Sequence, residues 1–300
     1  MKPTLLILAA GMGSRYGGLK QTDSFGPNGE SIIDYSIYDA IQTGFQKVVF
    51  VIRQSFAEAF KEKFTDKLKG KIEIDYVFQE LDNVPTGITV PKDRTKPWGT
   101  AHAVMVAYDK VKEPFAVINA DDFYGQSSYQ ALADFFSGSD QELDFSIVGY
   151  QMDKTLSEHG GVSRAVCHSD QEGYLTEIEE RLNIHYTQER KIVSDMNGDV
   201  QQYNGKEFVS MNMMGFRPSV FGYIQTFFKD FIQQHHQDLK KEFYIPDVLE
   251  RLISENIARV KILPSSERWF GVTYPDDKPI VMESISQKIK HGEYPSNLWE

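Results

Sequence analysis

Two short stretches carry residues whose types and spacing could do chemistry. The first is Gly11-Met12-Gly13-Ser14-Arg15-Tyr16-Gly17-Gly18-Leu19-Lys20-Gln21, which follows the apolar run Leu5-Leu6-Ile7-Leu8-Ala9-Ala10. Its four glycines in eight positions let the backbone close on a ligand and turn N–H groups inward, a geometry suited to phosphate oxygens. Arg15 and Lys20 add positive charge at the mouth of that loop. The second stretch is Asn119-Ala120-Asp121-Asp122-Phe123-Tyr124-Gly125, directly after the apolar run Phe115 to Ile118. Adjacent carboxylates are costly without a cation beside them. A polyphosphate cradle and an acidic metal site are the chemistry these two stretches offer.

Two familiar phosphate loops are excluded. The dinucleotide fingerprint needs glycine at its first, third and sixth positions. Gly11 and Gly13 comply, but Tyr16 stands sixth, and no acid closes a second strand about twenty residues on. The P-loop needs lysine directly after its last glycine, then Ser or Thr. Gly13 to Gly18 has the spacing, yet Leu19 intervenes and Gln21 replaces the hydroxyl. What remains is G-x-G-x-R followed by a lysine. Leu8 to Lys20 in this form resembles the signature of the sugar-phosphate nucleotidylyltransferases (nucleotide-sugar pyrophosphorylases).

The resemblance extends over residues 3 to 280 and implies roles for particular residues. Ala10, Gly11, Gly13, Gln79, Gly99 and Thr100 would meet the nucleotide, because Trp98-Gly99-Thr100-Ala101-His102-Ala103 resembles the family element that faces the base. Arg15 would bind the departing β,γ-phosphates, and Lys20 the α-phosphate and the incoming phosphate. Asp121 matches the inner ligand of a catalytic Mg²⁺. Gly160 or Gly161 matches a sugar-contacting glycine, with Gly161 the candidate. Ile178-Glu179-Glu180-Arg181 resembles an Ile-Glu-Glu-Lys element in which the second acid, here Glu180, holds sugar hydroxyls. Arg181 keeps the charge of that lysine with a different geometry. Asn212, in Ser210-Met211-Asn212-Met213-Met214-Gly215-Phe216, stands where a residue lines the sugar pocket.

Glu242-Phe243-Tyr244-Ile245-Pro246-Asp247 resembles a Glu-Tyr-Tyr-Leu-Thr-Asp segment of bacterial N-acetylglucosamine-1-phosphate uridylyltransferases. Trp269-Phe270-Gly271-Val272-Thr273 parallels a Gly-Val-Asn that carries the second metal ligand, so Thr273 replaces it with a neutral hydroxyl. Either Asp276 or Asp277 compensates, or the triphosphate completes the shell. The latter is favoured, because Pro275 starts a turn that directs both aspartates towards the next helix.

The implied reaction is transfer of a nucleotidyl group from an NTP to a sugar 1-phosphate, with release of pyrophosphate. Three alternatives stand beside it. One is a cytidylyltransferase for a non-sugar phosphate such as phosphocholine, and another a nucleotide-sugar-binding regulatory protein. A glycosyltransferase of related fold is the third, though Asp-x-Asp is usual there and Ala120-Asp121-Asp122 is present here.

The positioning elements read as alternating strands and helices. Ser31 caps a helix whose apolar residues Ile33, Ile37, Tyr38 and Ile41 recur at helical spacing until Gly44. Val48 to Ile52 is a buried strand, Ala57 to Phe64 a helix, and Ile72 to Phe78 a strand. Leu81 to Pro97 contains Pro85, Pro91 and Pro97 and is a loop. With Lys92, Arg94 and Lys96 it reads equally as a solvated surface or a lid for an anion. Thr100 caps the next helix, which runs to about Val111, and Gly99 leaves room for a planar ligand. His102 reads as a packed helix residue.

Leu143 to Tyr150 returns to the sheet, and hairpin-like strands follow at Ser163 to Val166 and Tyr174 to Glu180. Asn183 to Phe208 is polar, with Asn197-Gly198 as a tight turn. Val220 to His235 is a helix and Val260 to Leu263 a strand. His235-His236 reads as a solvated face, since adjacent helical residues point apart. The expected fold is one α/β domain over residues 1–300, Rossmann-like, with a mostly parallel twisted sheet and helices on both faces. A smaller β-rich insertion lobe, which the resemblance makes the sugar-binding part, is expected at about 155–215.

Net charge is −11 and the pI about 5.2, which argues against nucleic-acid binding. An anion site then needs Arg15, Lys20 and a divalent metal to reverse the field locally. There is no apolar run of about eighteen residues, so no membrane span is expected, nor is there a secretory pattern at the start. The single cysteine, Cys167, suits a reducing compartment, so a cytoplasmic protein is expected. Base, sugar and oligomeric state have no signature in the sequence.

Overall fold

The computed structural model describes residues 2–11, 23–157, 160–196, 198–271 and 277–300. The first half alternates β1 (Thr4–Leu8), α1 (Ile32–Gln42), β2 (Lys47–Ile52), α2 (Ala57–Leu68), β3 (Glu73–Phe78), α3 (Thr100–Met105) and β4 (Phe115–Asn119). A two-residue strand β5 (Asp122–Phe123), α4 (Gln126–Gly138) and β6 (Asp144–Gln151) follow. Next come β7 (Val162–Ser169), β8 (Leu175–Tyr186), β9 (Ile192–Met196), β10 (Asp199–Tyr203) and β11 (Phe208–Phe216). The chain closes with α5 (Val220–His235), α6 (Ile245–Ser254), β12 (Arg259–Ser265), β13 (Phe270–Gly271) and α7 (Asp277–Lys290).

The central layer runs β3-β2-β1-β4-β11-β6-β12. β1, β2, β3 and β4 are mutually parallel, β12 is parallel to β6, and β11 runs against both β4 and β6. Apolar alternation sorts the strand side chains between the two helical layers. Leu5 and Ile7 pack with Ile33, Ile37, Phe60, Phe64, Leu132 and Phe136 of α1, α2 and α4. Leu6 packs with Ala101, Val104, Ile224, Phe228, Leu249 and Leu252 of α3, α5 and α6. This is the expected Rossmann-like α/β fold, with a mixed central sheet covered on both faces. A third cluster joins Phe123 and Phe270 to α1 and the C-terminal segment through Tyr35, Val281, Ile285, Tyr294 and Leu298.

The antiparallel strands β7 to β10 extend the same sheet. They attach through β11, which pairs with β7 at Val209 and Ser210 and with β4 from Met214 to Phe216. Between these halves Asn212 adopts φ +60°, and the β6 register slips between Ser210 and Met214. The polar stretch after Asn183 completes β8 and adds the hairpin β9–β10, with Met196 opposite Asp199. Gly198 in its turn has φ +91°, while Asn197 lies outside the described residues. The helix expected to reach Val111 stops at Met105, where the chain continues as turns. Ser31 starts α1 as expected, with the Asp34 carboxylate accepting from its N–H (2.7 Å) and hydroxyl (2.6 Å).

Candidate active site

In open α/β sheets ligands bind beyond the carboxyl ends of the strands. At the end of β1, the Ala9 N–H reaches Val51 O at 2.8 Å, and the Ala120 N–H reaches Leu8 O at 3.2 Å. The chain therefore leaves the sheet at Ala10 and Gly11 beside the point where β4 delivers Ala120-Asp121-Asp122. Gly11 is exposed, and among the described residues a Cβ there would meet nothing within 4 Å. Gly13, Arg15 and Lys20 lie outside the described residues, as do Thr273, Pro275 and Asp276. Asp277 opens α7.

Asp121 and Asp122 are both half-buried. The Asp122 carboxylate accepts from Asn119 Nδ2 at 2.9 Å, and the Tyr124 hydroxyl stands 3.3 Å from it. That hydroxyl also accepts from the Asn119 N–H (3.1 Å) and lies 3.0 Å from Met211 O. Tyr124 thus ties the acidic turn to β11 one residue before Asn212. Burial, and then the neighbouring charge of Asp121, push Asp122 up to about 7. β13 pairs with β5, setting Gly271 opposite Asp122, and a Cβ on that glycine would meet Asp122 Oδ1 at 2.7 Å. The chain towards Thr273 therefore departs from beside the acidic pair.

Arg164 on β7 also reaches this corner. It stacks on Trp269 at 4.9 Å, and Asp122 is the charge that acts on it. Arg164 belongs to no sequence motif, and Trp269 only heads the segment that leads to Thr273. A signal was present: Val162, Arg164 and Val166 alternate on one face of a strand, which puts a cation where an apolar residue is expected.

The nucleotide-side candidates form a tight knot. Gln79 is buried, and its Nε2 donates to Gly99 O (2.9 Å) and to His102 Nδ1 (3.2 Å), while His102 Nε2 donates to Asn83 O (2.8 Å). Gly99 has φ +105° and lies against the backbone of Phe243, so its lack of a Cβ serves chain packing where room for a planar ligand was expected. Thr100 begins α3, and its hydroxyl accepts from the Ile245 N–H (3.1 Å) at the start of α6 instead of capping α3.

Burial above all holds the His102 pKa down at about 4, which leaves it neutral with the proton on Nε2. Between about pH 6.5 and about 4 the unfolded chain then binds the extra proton. Stability should fall as pH drops through that window, by up to about 1.4 kcal/mol per pH unit. Denaturant melts of wild type and His102→Gln should show their difference in stability shrinking towards acid. A difference independent of pH would contradict a neutral buried histidine.

The segment from Leu81 to Pro97 is anchored at its two ends. Arg94 is buried, lies 3.6 Å over Trp98, and donates to Pro97 O (2.9 Å), Lys241 O (2.8 Å) and Asp238 O. Trp98 Nε1 donates to Leu81 O (2.9 Å), and Lys96 pairs with Glu242 (2.7 Å). Of the three cations, Lys92 is the exposed one with no hydrogen bond or ion pair among the described residues.

On the antiparallel side, Glu180 pairs across with Ala165 and points to the same side as Ile178 and Cys167, while Glu179 and Arg181 point to the other. Arg181 is committed there to Glu179 and Asp199. Glu180 is exposed and adds its charge to that around Tyr244 and Asp247 at the start of α6, both of which are raised chiefly by burial. Gly161 is exposed, and a Cβ on it would run into Asn183, whose Cα is 3.2 Å away and whose φ is +52°. The structure therefore gathers Ala10, Gly11, Asp121, Asp122 and Asn212 at one corner. Gln79, Gly99, Thr100 and Glu180 line up towards the starts of α3 and α6.

A family profile described as Nucleotidyl transferase matches residues 4–272. The chain belongs to the nucleotidyl transferase family. Its fold is similar to that of the inositol-1-phosphate CTP transferase from T. maritima, with a TM-score of 0.63 and 16% identity over 95% of this chain and 97% of that one. It is also similar to a UDP-glucose pyrophosphorylase complexed with UDP-glucose, with a TM-score of 0.59 and 17% identity over 96% and 100%. At these identities the likeness is one of fold. No curated protein matches the sequence. The family's general reaction is nucleotidyl transfer to a phosphate group. No helix among the described residues is long and apolar enough to cross a membrane.

Proposed function

We propose that the protein transfers a nucleotidyl group from an NTP to a sugar 1-phosphate, releases pyrophosphate, and requires Mg²⁺. The observation that carries this reading is the acidic pair at the end of β4, set between the departure of β1 at Ala10–Gly11 and the left-handed Asn212 of β11. An oxygen of the acceptor phosphate attacks the α-phosphorus in line as the bond from that phosphorus to the pyrophosphate oxygen breaks. No side-chain nucleophile is needed, so the residues position the reactants and neutralise charge.

In this scheme Gly11 and Gly13 hold phosphate oxygens through their N–H groups, Arg15 takes the departing β,γ-phosphates, and Lys20 lies between the α-phosphate and the acceptor. Ala10, Gln79, Gly99 and Thr100 face the nucleoside, and Gly161, Glu180 and Asn212 the sugar. Asp121, with Asp122 behind it, fits Mg²⁺. The donors are hard oxygens, and burial, then the charge of Asp121, raises Asp122, which a bound cation would offset. Among the described residues no group of three or more His, Cys, Asp or Glu is placed to hold a metal. On this reading the ion is held by one or two carboxylates plus substrate phosphates, with Thr273 a weak further ligand. The ion would supply neutralisation of the phosphate charge.

A screen of NTPs against sugar 1-phosphates, inositol 1-phosphate and phosphocholine, read by pyrophosphate release with Mg²⁺ or with chelator, tests the reading. Release is expected with a sugar 1-phosphate and only with metal. Turnover confined to phosphocholine or inositol 1-phosphate would move the acceptor class. No release from any pair would refute transfer and leave a regulatory nucleotide-sugar binder.

A further inference from the structure

Arg164 is a cation enclosed by neutral acceptors. Its Nε donates to Thr155 Oγ1 at 3.1 Å, its Nη1 to Ser163 O at 2.8 Å, and its Nη2 to Thr155 O. The Trp269 ring covers it at 4.9 Å. It forms no ion pair among the described residues, and burial pulls its pKa down to about 10. The guanidinium is half-buried, the acceptors it bonds are all neutral, and Asp122 is the charge that acts on it, so its own contacts compensate its charge only in part. Of its five N–H donors three are used, leaving one on each terminal nitrogen. That pair is suited to two oxygens of one phosphate. The strand that carries Arg164 starts directly after Gly160-Gly161, and the guanidinium sits within the field of Asp122.

We infer that Arg164 is an acceptor-binding residue whose remaining N–H groups hold the phosphate of the acceptor beside the Asp121–Asp122 turn. The inference rests on the nucleotidyl-transfer reading and adds to it the residue that grips the acceptor on the side of β7. The bonding changes are unaltered: the acceptor oxygen bonds to the α-phosphorus, and pyrophosphate leaves with the electron pair of the broken P–O bond. Arg164 exchanges no proton. Its charge draws the phosphate in, and its two donors set which oxygen faces the α-phosphorus.

Trp269 gives a readout independent of turnover. Titration of the full chain with inorganic phosphate should change the tryptophan fluorescence saturably, and Trp269→Phe should remove that change. Arg164→Gln should weaken phosphate binding at least about tenfold, and Arg164→Lys less, because it keeps the charge and loses the fork. With a reacting NTP–acceptor pair, Arg164→Gln should raise KM for the acceptor by a similar factor and leave KM for the NTP within about twofold. An unchanged phosphate midpoint in Arg164→Gln overturns the inference, as does the absence of any saturable change in wild type. Equal rises in both KM values together with a lowered Tm also overturn it, since they would make Arg164 a brace. Phosphate binding lost in Arg164→Gln supports the site even where no NTP–acceptor pair reacts. In that event it is the transfer reading that falls.

Discussion

Asp121→Asn is expected to reduce pyrophosphate release by at least about 10²–10³-fold while leaving the melting temperature close to that of wild type. The substitution keeps size and shape and removes the charge that would hold the metal and, through it, the triphosphate. In the same turn Asp122 accepts from Asn119 Nδ2 and stands opposite Gly271 in the β5–β13 pair. Steady-state kinetics and a thermal melt on one preparation decide the matter. Activity within a few-fold of wild type would remove Asp121 from the site, and a collapse of both would make the residue structural.

Gly99→Ala should cost about 3 kcal/mol or more, the largest loss of stability expected from adding a single methyl group near the site. Gly99 combines φ +105° with ψ −179°, a backbone region open almost only to glycine. A Cβ would meet the Phe243 amide nitrogen at 2.7 Å and its carbonyl oxygen closer still. The obstacle is backbone, so it cannot swing aside as a side chain would. Moving it would strain the Phe243 N–H bond to Trp98 O (2.7 Å) and the Ala101 N–H bond to Phe243 O (3.1 Å), which together join the starts of α3 and α6. Gly11→Ala is the control, because a Cβ there meets nothing within 4 Å among the described residues and little stability should be lost. Denaturant unfolding of both variants gives the comparison. Equal stabilities would mean that the α3–α6 junction yields more easily than its hydrogen bonds suggest.

The sheet was legible because buried parallel strands announce themselves as continuous apolar runs. Val48 to Ile52 and Phe115 to Ile118 each fall within a residue or two of an observed strand. The place of the acidic pair followed from the same logic, since a strand that ends in Asp121-Asp122 must present them at its carboxyl edge. Roles that depend on partners distant in the chain were not legible. Arg94 looked like free charge in a polar loop, and only the fold brings Trp98 and the carbonyls of Pro97, Asp238 and Lys241 around it. Gly99 looked like clearance for a ligand, and the neighbour that fills the clearance comes from residue 243. Arg164 had no motif, because burial of a cation is a property of the packed sheet. Thr100 was read as the cap of its own helix, yet its hydroxyl serves a helix that begins 145 residues later.

Strand β11 is shared property between two regions with different tasks. Its second half is locked to β4 in an unbroken register, and its first half carries β7 and, beyond it, a hairpin that ends in the free edge β10. The register slip at Ser210–Met214 and the left-handed Asn212 separate the two halves. A change in length or sequence beyond β7 can therefore be absorbed at the open edge without shifting Met214 against Val117, and so without disturbing the strand that delivers Asp121. On the proposed function, descendants of such a chain would exchange one acceptor for another by remodelling the outer strands, while the part proposed to handle the triphosphate is inherited intact.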